Sequence, residues 1–281
     1  MFVKRDDGLG CAFVPFHIAA LLLAALWTVC CGVRGWWAVP AFVGLYAASF
    51  LALFVLFYVV VWLFSLTIDT KSPPPEEDHP FVRKIVLVVI SHLCRFARLR
   101  LHTEGLEKLP EGRFLVVSNH LSAYDPITAV WALRKTTTAF ITKPENHRIP
   151  LAGPLIYRTN FLPINREDPR EAMRTINAAA NLLKNDVVSV GVYPEGTRNR
   201  TPEQGFLPFH NGVFKIAQKA GTPVVVATVH GTECIGKNFP WRHTDVHIHI
   251  CETIPAAEIG GSTAALSERV QNVMARDLAG K

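Results

Sequence analysis

The chain opens on a long apolar pattern. Between Gly8 and Ile68, Arg34 is the only residue among the Asp, Glu, Lys and Arg set. Two apolar stretches fill this region, Cys11 to Val33 and Ala38 to Ile68. A helix needs about 20 apolar residues to cross a bilayer, so the first stretch is just long enough and the second can tilt or run past the core. Arg34, Gly35, Trp36 and Trp37 separate them, which predicts a tight interfacial turn with an aromatic anchor. A cleaved signal peptide is the alternative for the first stretch, with Lys4 and Arg5 as its basic start. The length of the run, the lack of a small-x-small cleavage site and the second span that follows favour a two-helix membrane anchor over residues 1–70. Lys4 and Arg5 before the spans, Arg34 between them and Lys71, Arg83 and Lys84 after them place both termini in the cytoplasm.

The pattern then changes. Residues 71–80 carry Lys71-Ser-Pro-Pro-Pro-Glu-Glu-Asp78, a linker whose prolines end the preceding helix and favour extended geometry. Phe81 to Leu99 has an apolar centre too short to span, flanked by Arg83, Lys84, Arg95 and Arg98. It reads either as a helix lying on anionic lipid or as a core helix of the following domain. Strand and helix patterns alternate from there. Strands are predicted at Phe114–Val117, Thr137–Thr142, Val187–Tyr193, Val224–Val229 and Asp245–Ile250. Helices are predicted at Pro126–Leu133, Pro150–Tyr157, Pro169–Leu183, Val213–Lys219 and Ala264–Leu278. Asp168, Pro169 and Glu171 form a capping-box-like helix start, and Gly221 ends the helix before it. Alternation of this kind implies an α/β fold for residues 81–281, a largely parallel sheet flanked by helices. Active sites in such sheets lie at the carboxyl ends of the strands.

Composition narrows the function classes. The 281 residues are 49% hydrophobic and 19% charged, with mean hydropathy +0.22, which excludes a disordered chain. The net charge of +6 and pI near 9.1 suit anionic lipid headgroups or an acidic partner. No helix-turn-helix, zinc-finger or aromatic-basic strand signature points to nucleic acid. The six cysteines, Cys11, Cys30, Cys31, Cys94, Cys234 and Cys251, form no C-x-x-C pair and read as reduced thiols rather than a disulfide or zinc framework.

Two segments carry chemistry. Asn119-His120-Leu121-Ser122-Ala123-Tyr124-Asp125-Pro126 follows a predicted strand. The spacing lets the Asp125 carboxylate fold back onto His120 Nδ1, which would hold one tautomer and leave Nε2 as a base. Asp125-Pro126 is equally a good helix cap and first-turn pair. Val192-Tyr193-Pro194-Glu195-Gly196-Thr197-Arg198 follows another strand. Gly196 permits a positive-φ turn whose N–H groups face an anion. Thr197 offers a hydroxyl, Arg198 a bidentate phosphate donor and Glu195 an acceptor for a hydroxyl. A solvated turn is the plain alternative.

Together these segments resemble the glycerolipid acyltransferase family, which includes 1-acyl-sn-glycerol-3-phosphate acyltransferases. The resemblance rests on four blocks in order: Asn119-His120 with Asp125; Lys143 to Arg166 with Pro150, Gly153 and Ile164; Pro194 to Arg198; and Thr222-Pro223-Val224-Val225-Val226. Two positions depart from the family pattern. Asn160 stands where a glycine is frequent, and Phe209-His210-Asn211-Gly212 stands where a basic F-K-x-G stretch is frequent. The resemblance implies that His120, steadied by Asp125, deprotonates the free hydroxyl of lysophosphatidic acid, which attacks an acyl thioester to give phosphatidic acid. Backbone donors near Gly196 would face the developing oxyanion. Glu195, Gly196, Thr197 and Arg198 would hold the glycerol phosphate, with Arg166 and Lys143 as further phosphate candidates. The donor would be acyl-coenzyme A or acyl-carrier protein, with no cofactor and no metal required. The protein would sit in a membrane, a bacterial plasma membrane, with its catalytic domain at the cytoplasmic face. Other acceptors are glycerol 3-phosphate or another lysophospholipid. A hydrolase using Ser118 or Ser122 with His120 lacks the G-x-S-x-G elbow, and an inactive lipid-binding module would not need the full set. His247 and His249 share a strand face, which favours packing over metal ligation.

Overall fold

The computed structural model describes residues 4–5, 12–70 and 75–280. Cys11 and residues 71–74 of the predicted linker lie outside the described residues. The N-terminal apolar pattern forms two helices packed on one another, α1 (Val14–Cys30) and α2 (Ala38–Ser65). The turn between them holds Trp36 and Trp37 with ring centroids 3.7 Å apart, both exposed.

The first helix is shorter than its apolar stretch. Pro15 fixes its first turn, and Gly32, with φ at +65°, lies just past its end. Seventeen residues rise about 25 Å, less than a bilayer core of about 30 Å. Among the described residues only Gly35–Ser65 is long and apolar enough to cross a membrane.

Residues 81–99 become a core helix on one side. In α3 (Pro80–Phe96), Val82, Val86, Ile90 and Cys94 are buried, while Phe81, Leu93 and Phe96 are exposed. The chain continues through β2 (Leu99–Glu104), β3 (Leu115–Ser118), α4 (Asp125–Ala132), β4 (Thr138–Thr142), α5 (Ala152–Arg158), β5 (Leu162–Pro163), α6 (Pro169–Lys184) and β6 (Ser189–Val192). It ends with α7 (Lys215–Ala220), β7 (Val224–His230), α8 (Ile235–Asn238), β8 (Thr244–Ile254) and α9 (Thr263–Ala279). With β1 (Lys4–Arg5), the strands make one sheet in the order β1-β2-β8-β7-β3-β6-β4-β5.

The sheet is largely parallel, as the alternation predicts. Antiparallel pairing occurs at β1–β2 and β7–β8. The central strands β3 and β6 are buried at every position, the signature of strands covered on both faces. Strand β2 alternates buried and half-buried residues, as a strand with one wetter face does. Helix α6 starts as expected: Asp168 accepts from the N–H groups of Arg170 and Glu171. Gly191 in β6 is required by close packing, because a Cβ there would lie 2.3 Å from the Phe140 ring. The core continues into α2, where Val61 is buried against the domain.

The cysteines are free thiols at every described position. Burial pushes the Cys94 thiol up to about 12.

Candidate active site

The site forms where the loops after β3 and β6 meet at the strands' carboxyl ends. Buried Asn119 sets the first loop. Its Nδ2 donates to the Val229 carbonyl at 2.9 Å and its Oδ1 accepts from Val229 N–H at 2.8 Å. The amide thus continues the β3–β7 pairing past the last strand residue.

His120 follows and is held from several sides. Its Nδ1 lies 2.7 Å from Asp125 Oδ2. Its N–H donates to Glu195 Oε1 at 2.9 Å, and its carbonyl accepts from Asn199 N–H at 2.7 Å. Its ring stacks on Tyr193 with centroids 4.3 Å apart. In the neutral ring, an Nδ1–H donated to this carboxylate leaves the Nε2 lone pair free.

Asp125 does not cap the helix that begins there. It occupies the first helical position, and Tyr124 is the cap residue. Its carboxylate turns back into the loop instead. Oδ2 accepts from the N–H groups of Leu121 at 2.6 Å and Ser122 at 2.8 Å as well as facing His120, and Oδ1 accepts from the Thr232 hydroxyl at 2.5 Å. Four donors on one buried carboxylate fix the position of the imidazole it faces.

Glu195 also departs from expectation. It is 3% exposed and does not line the cavity. Its oxygens take the N–H of His120 and, at 3.0 Å, the N–H of Leu207. Burial raises its pKa, and these hydrogen bonds work against the rise. Glu195 ties the His120 loop to the loop after β6.

Gly196 has φ at +70°, the left-handed turn predicted for it, and a Cβ there would come within 2.7 Å of the His210 ring. Its N–H is committed to the Tyr193 carbonyl at 3.0 Å and does not point to a free anion.

His120 opens on a cavity of about 690 Å³. Its wall includes apolar side chains, Val86, Val89 and Ile90 of α3 with Ile127, Leu155 and Ile176, and the polar side chains of Lys143, Arg166, Thr197, Arg198 and His210. Among the described residues, Lys143, Arg166 and Arg198 pair with no carboxylate. Burial lowers the Arg166 pKa, the mark of a cation short of water and of a counter-ion. The cavity thus joins apolar side chains, a His/Asp pair and unpaired cations.

The remaining candidates lie elsewhere. Neither Ser118 nor Ser122 lines the cavity, and Ser122 Oγ accepts from Tyr124 N–H at 3.0 Å. His247 stacks between His102 and His230, and His249 Nδ1 pairs with Asp277 at 2.5 Å. Sequence reasoning missed Tyr193, whose buried hydroxyl has no partner and whose pKa is raised by burial and by the Asp125 charge. Its place at the end of β6 was the available signal. It also missed Thr232, which lies 107 residues from Asp125 and leaves no local signal.

Comparison with known proteins agrees with this geometry. Residues 100–230 match the acyltransferase family model. That match covers just under half of the chain. It is 30% identical over 151 residues to the 1-acyl-sn-glycerol-3-phosphate acyltransferase of Haemophilus influenzae, an alignment covering 54% of this chain and 60% of that protein. It is 35% identical over 121 residues to the Salmonella typhimurium enzyme of the same name, covering 43% of this chain and 48% of that one. The chain therefore spans about half to three fifths of the curated relatives it matches. The crystal structure of the 1-acyl-sn-glycerophosphate acyltransferase from Thermotoga maritima superposes with a TM-score of 0.57 at 26% identity, covering 80% of this chain and 88% of that one. The matched residues include both the His120 and the Glu195 loops.

Proposed function

We propose that the protein transfers a fatty acyl group from an acyl thioester to the free hydroxyl of lysophosphatidic acid, giving phosphatidic acid. One observation carries this reading: the Asp125-held His120 lines a cavity whose wall also holds many apolar side chains and three unpaired cations. Lysophosphatidic acid has the matching parts, an acyl chain, one free hydroxyl and a phosphate. The names of the similar enzymes support the same acceptor.

The steps follow from the geometry. Arg166, Arg198 and Lys143 draw the phosphate and place the hydroxyl near His120. Nε2 takes the hydroxyl proton as the oxygen attacks the thioester carbonyl. The tetrahedral intermediate collapses with cleavage of the C–S bond, and the proton held by His120 passes to the departing thiolate. Asp125 stabilises the imidazolium in between. A thiolate leaves readily, so no acyl-enzyme is needed. General-base assistance contributes about 10²–10⁴-fold, and positioning both substrates adds more. Coenzyme A or acyl-carrier protein serves as the thioester carrier. In this reading the domain works at the cytoplasmic face of the membrane that holds acceptor and product, supported by the apolar N-terminal helices and the Lys and Arg balance around them.

The test is acyl transfer in isolated membranes given either donor and a panel of lysophospholipids. Wild type should form phosphatidic acid, and His120→Ala should lose at least about 10² in rate while remaining folded. Asp125→Asn should lower kcat with little change in the Michaelis constant for the acceptor. Unchanged turnover in His120→Ala would refute the general base, and a different product would change the acceptor.

A further inference from the structure

The surface around the end of α3 has no role in the chemistry above. Phe96 is 73% exposed and Trp241 is 85% exposed. The Phe96 ring meets Phe239 at 5.2 Å between centroids, so two segments far apart in sequence build one aromatic patch. Cations surround it: Arg95, Arg98, Lys237 and Arg242 are all exposed. No Asp or Glu occurs in residues 80–103 or 234–244. Exposed aromatics interleaved with unopposed cations suit one environment, the headgroup layer of an anionic bilayer.

The placement of α3 agrees. At its start Phe81 touches Phe64, near the end of α2. Three turns later His92 sits among Phe13, Phe16, Phe54 and Phe57. The carboxyl end of α3 is therefore the end directed toward the body of the apolar hairpin, and Phe96 lies one turn beyond His92. Leu93, 41% exposed, also lines the cavity, so the same helix end joins the patch to the cavity wall.

We propose that the end of α3 and the α8–β8 loop form a second membrane contact, seating Phe96, Phe239 and Trp241 in the headgroup layer with Arg95, Arg98, Lys237 and Arg242 on anionic phosphates. The hairpin holds the protein in the membrane; this contact sets the tilt of the domain and turns the Leu93 side of the cavity toward lipid. The inference rests on the reading of the hairpin as a membrane anchor.

The full-length protein tests it in lipid nanodiscs of phosphatidylcholine, alone or with phosphatidylglycerol. An environment-sensitive fluorescent amino acid is placed singly at position 241, at Leu51 in α2, or at exposed Lys184 at the far end of α6. Nitroxide-labelled lipid is the quencher. The expected result is strong quenching at 51, clear quenching and a blue shift at 241 that grow with phosphatidylglycerol, and neither at 184. Arg95→Glu with Arg242→Glu should abolish the phosphatidylglycerol-dependent part at 241 and leave quenching at 51 intact. Quenching at 51 with a water-like signal at 241 in both lipids would overturn the second contact and leave the anchor standing. No quenching at either position would overturn the anchor and this inference together. A signal at 241 that ignores both lipid charge and the double substitution would overturn the electrostatic assignment.

Discussion

Glu195 shows how a single side chain can matter to the chemistry without touching substrate. Its two oxygens serve two backbone N–H groups from different loops, one of them on His120. Glu195→Gln keeps the shape but turns an NH2 group toward one of those donors. Leaving a buried donor unpaired costs about 1–3 kcal/mol, and the freed loop carries the base. The variant should lose kcat with a smaller effect on the acceptor's Michaelis constant, together with a lower melting temperature; a selective rise in that Michaelis constant would restore the substrate-contact role. Asn160 gives the opposite prediction. It adopts φ +65°, is 2% exposed, and neither its Oδ1 nor its Nδ2 has a partner. The left-handed backbone explains why glycine is frequent in the family at this position. Asn160→Gly removes two unpaired polar atoms and the strain, so it should raise stability by about 1 kcal/mol, read as a shift of a few degrees in thermal unfolding. The His120–Asp125 contact was legible from the sequence because only four residues separate the partners. The burial of Glu195 was not, because Leu207 reaches it through a loop whose path no local pattern specifies.

Among the elements, α3 departs most from its sequence pattern. Arg83 looked like one of the cations flanking a surface helix, yet it is 7% exposed. Its guanidinium grips Asp78 with two bonds, at 2.9 and 2.7 Å, and donates to the carbonyls of Thr138 and Thr159 at 2.9 and 2.8 Å. This clamp joins the end of the linker, β4 and the segment after α5, the last two of which border the cavity. Arg83→Met fills the space but strands Asp78 and two carbonyls, which should cost about 3 kcal/mol. Adding Asp78→Asn should recover part of that loss; unfolding curves of the two variants check both statements, and additive losses would deny the pairing. The strands were readable wherever all-apolar runs are bounded by turns, as at β3, β6 and β7. Strand β2 was not, although Leu99-Arg100-Leu101-His102 alternates, because it follows α3 after only two residues and gains its place by parallel pairing with β8. That partner begins about 140 residues later in the chain.

For the molecule as a whole, the question is whether the apolar hairpin is a tether or part of the fold. A tether would leave the domain's own surface complete. Here Val61 and Ser65 of α2 are buried, and Phe57, Phe64 and Ile68 pack against the core. The interlock extends to α3, where His92 is 2% exposed among phenylalanine rings and lies 3.1 Å from the Tyr58 hydroxyl. The helix so braced supplies Val86, Val89 and Ile90 to the cavity wall. Deleting residues 1–70 would therefore uncover apolar surface on α3 and loosen the chamber, at about 25 cal/mol for each Å² of lost contact. The shortened chain should unfold at a lower temperature than the full chain in the same detergent and should lose activity even on detergent-dispersed acceptor, where no membrane is needed to bring the substrates together. Equal stability and equal activity would make the hairpin a tether only. Lower stability that a lipid surface fails to restore would make it a structural part of the domain, one whose packing shapes the cavity as directly as the sheet does.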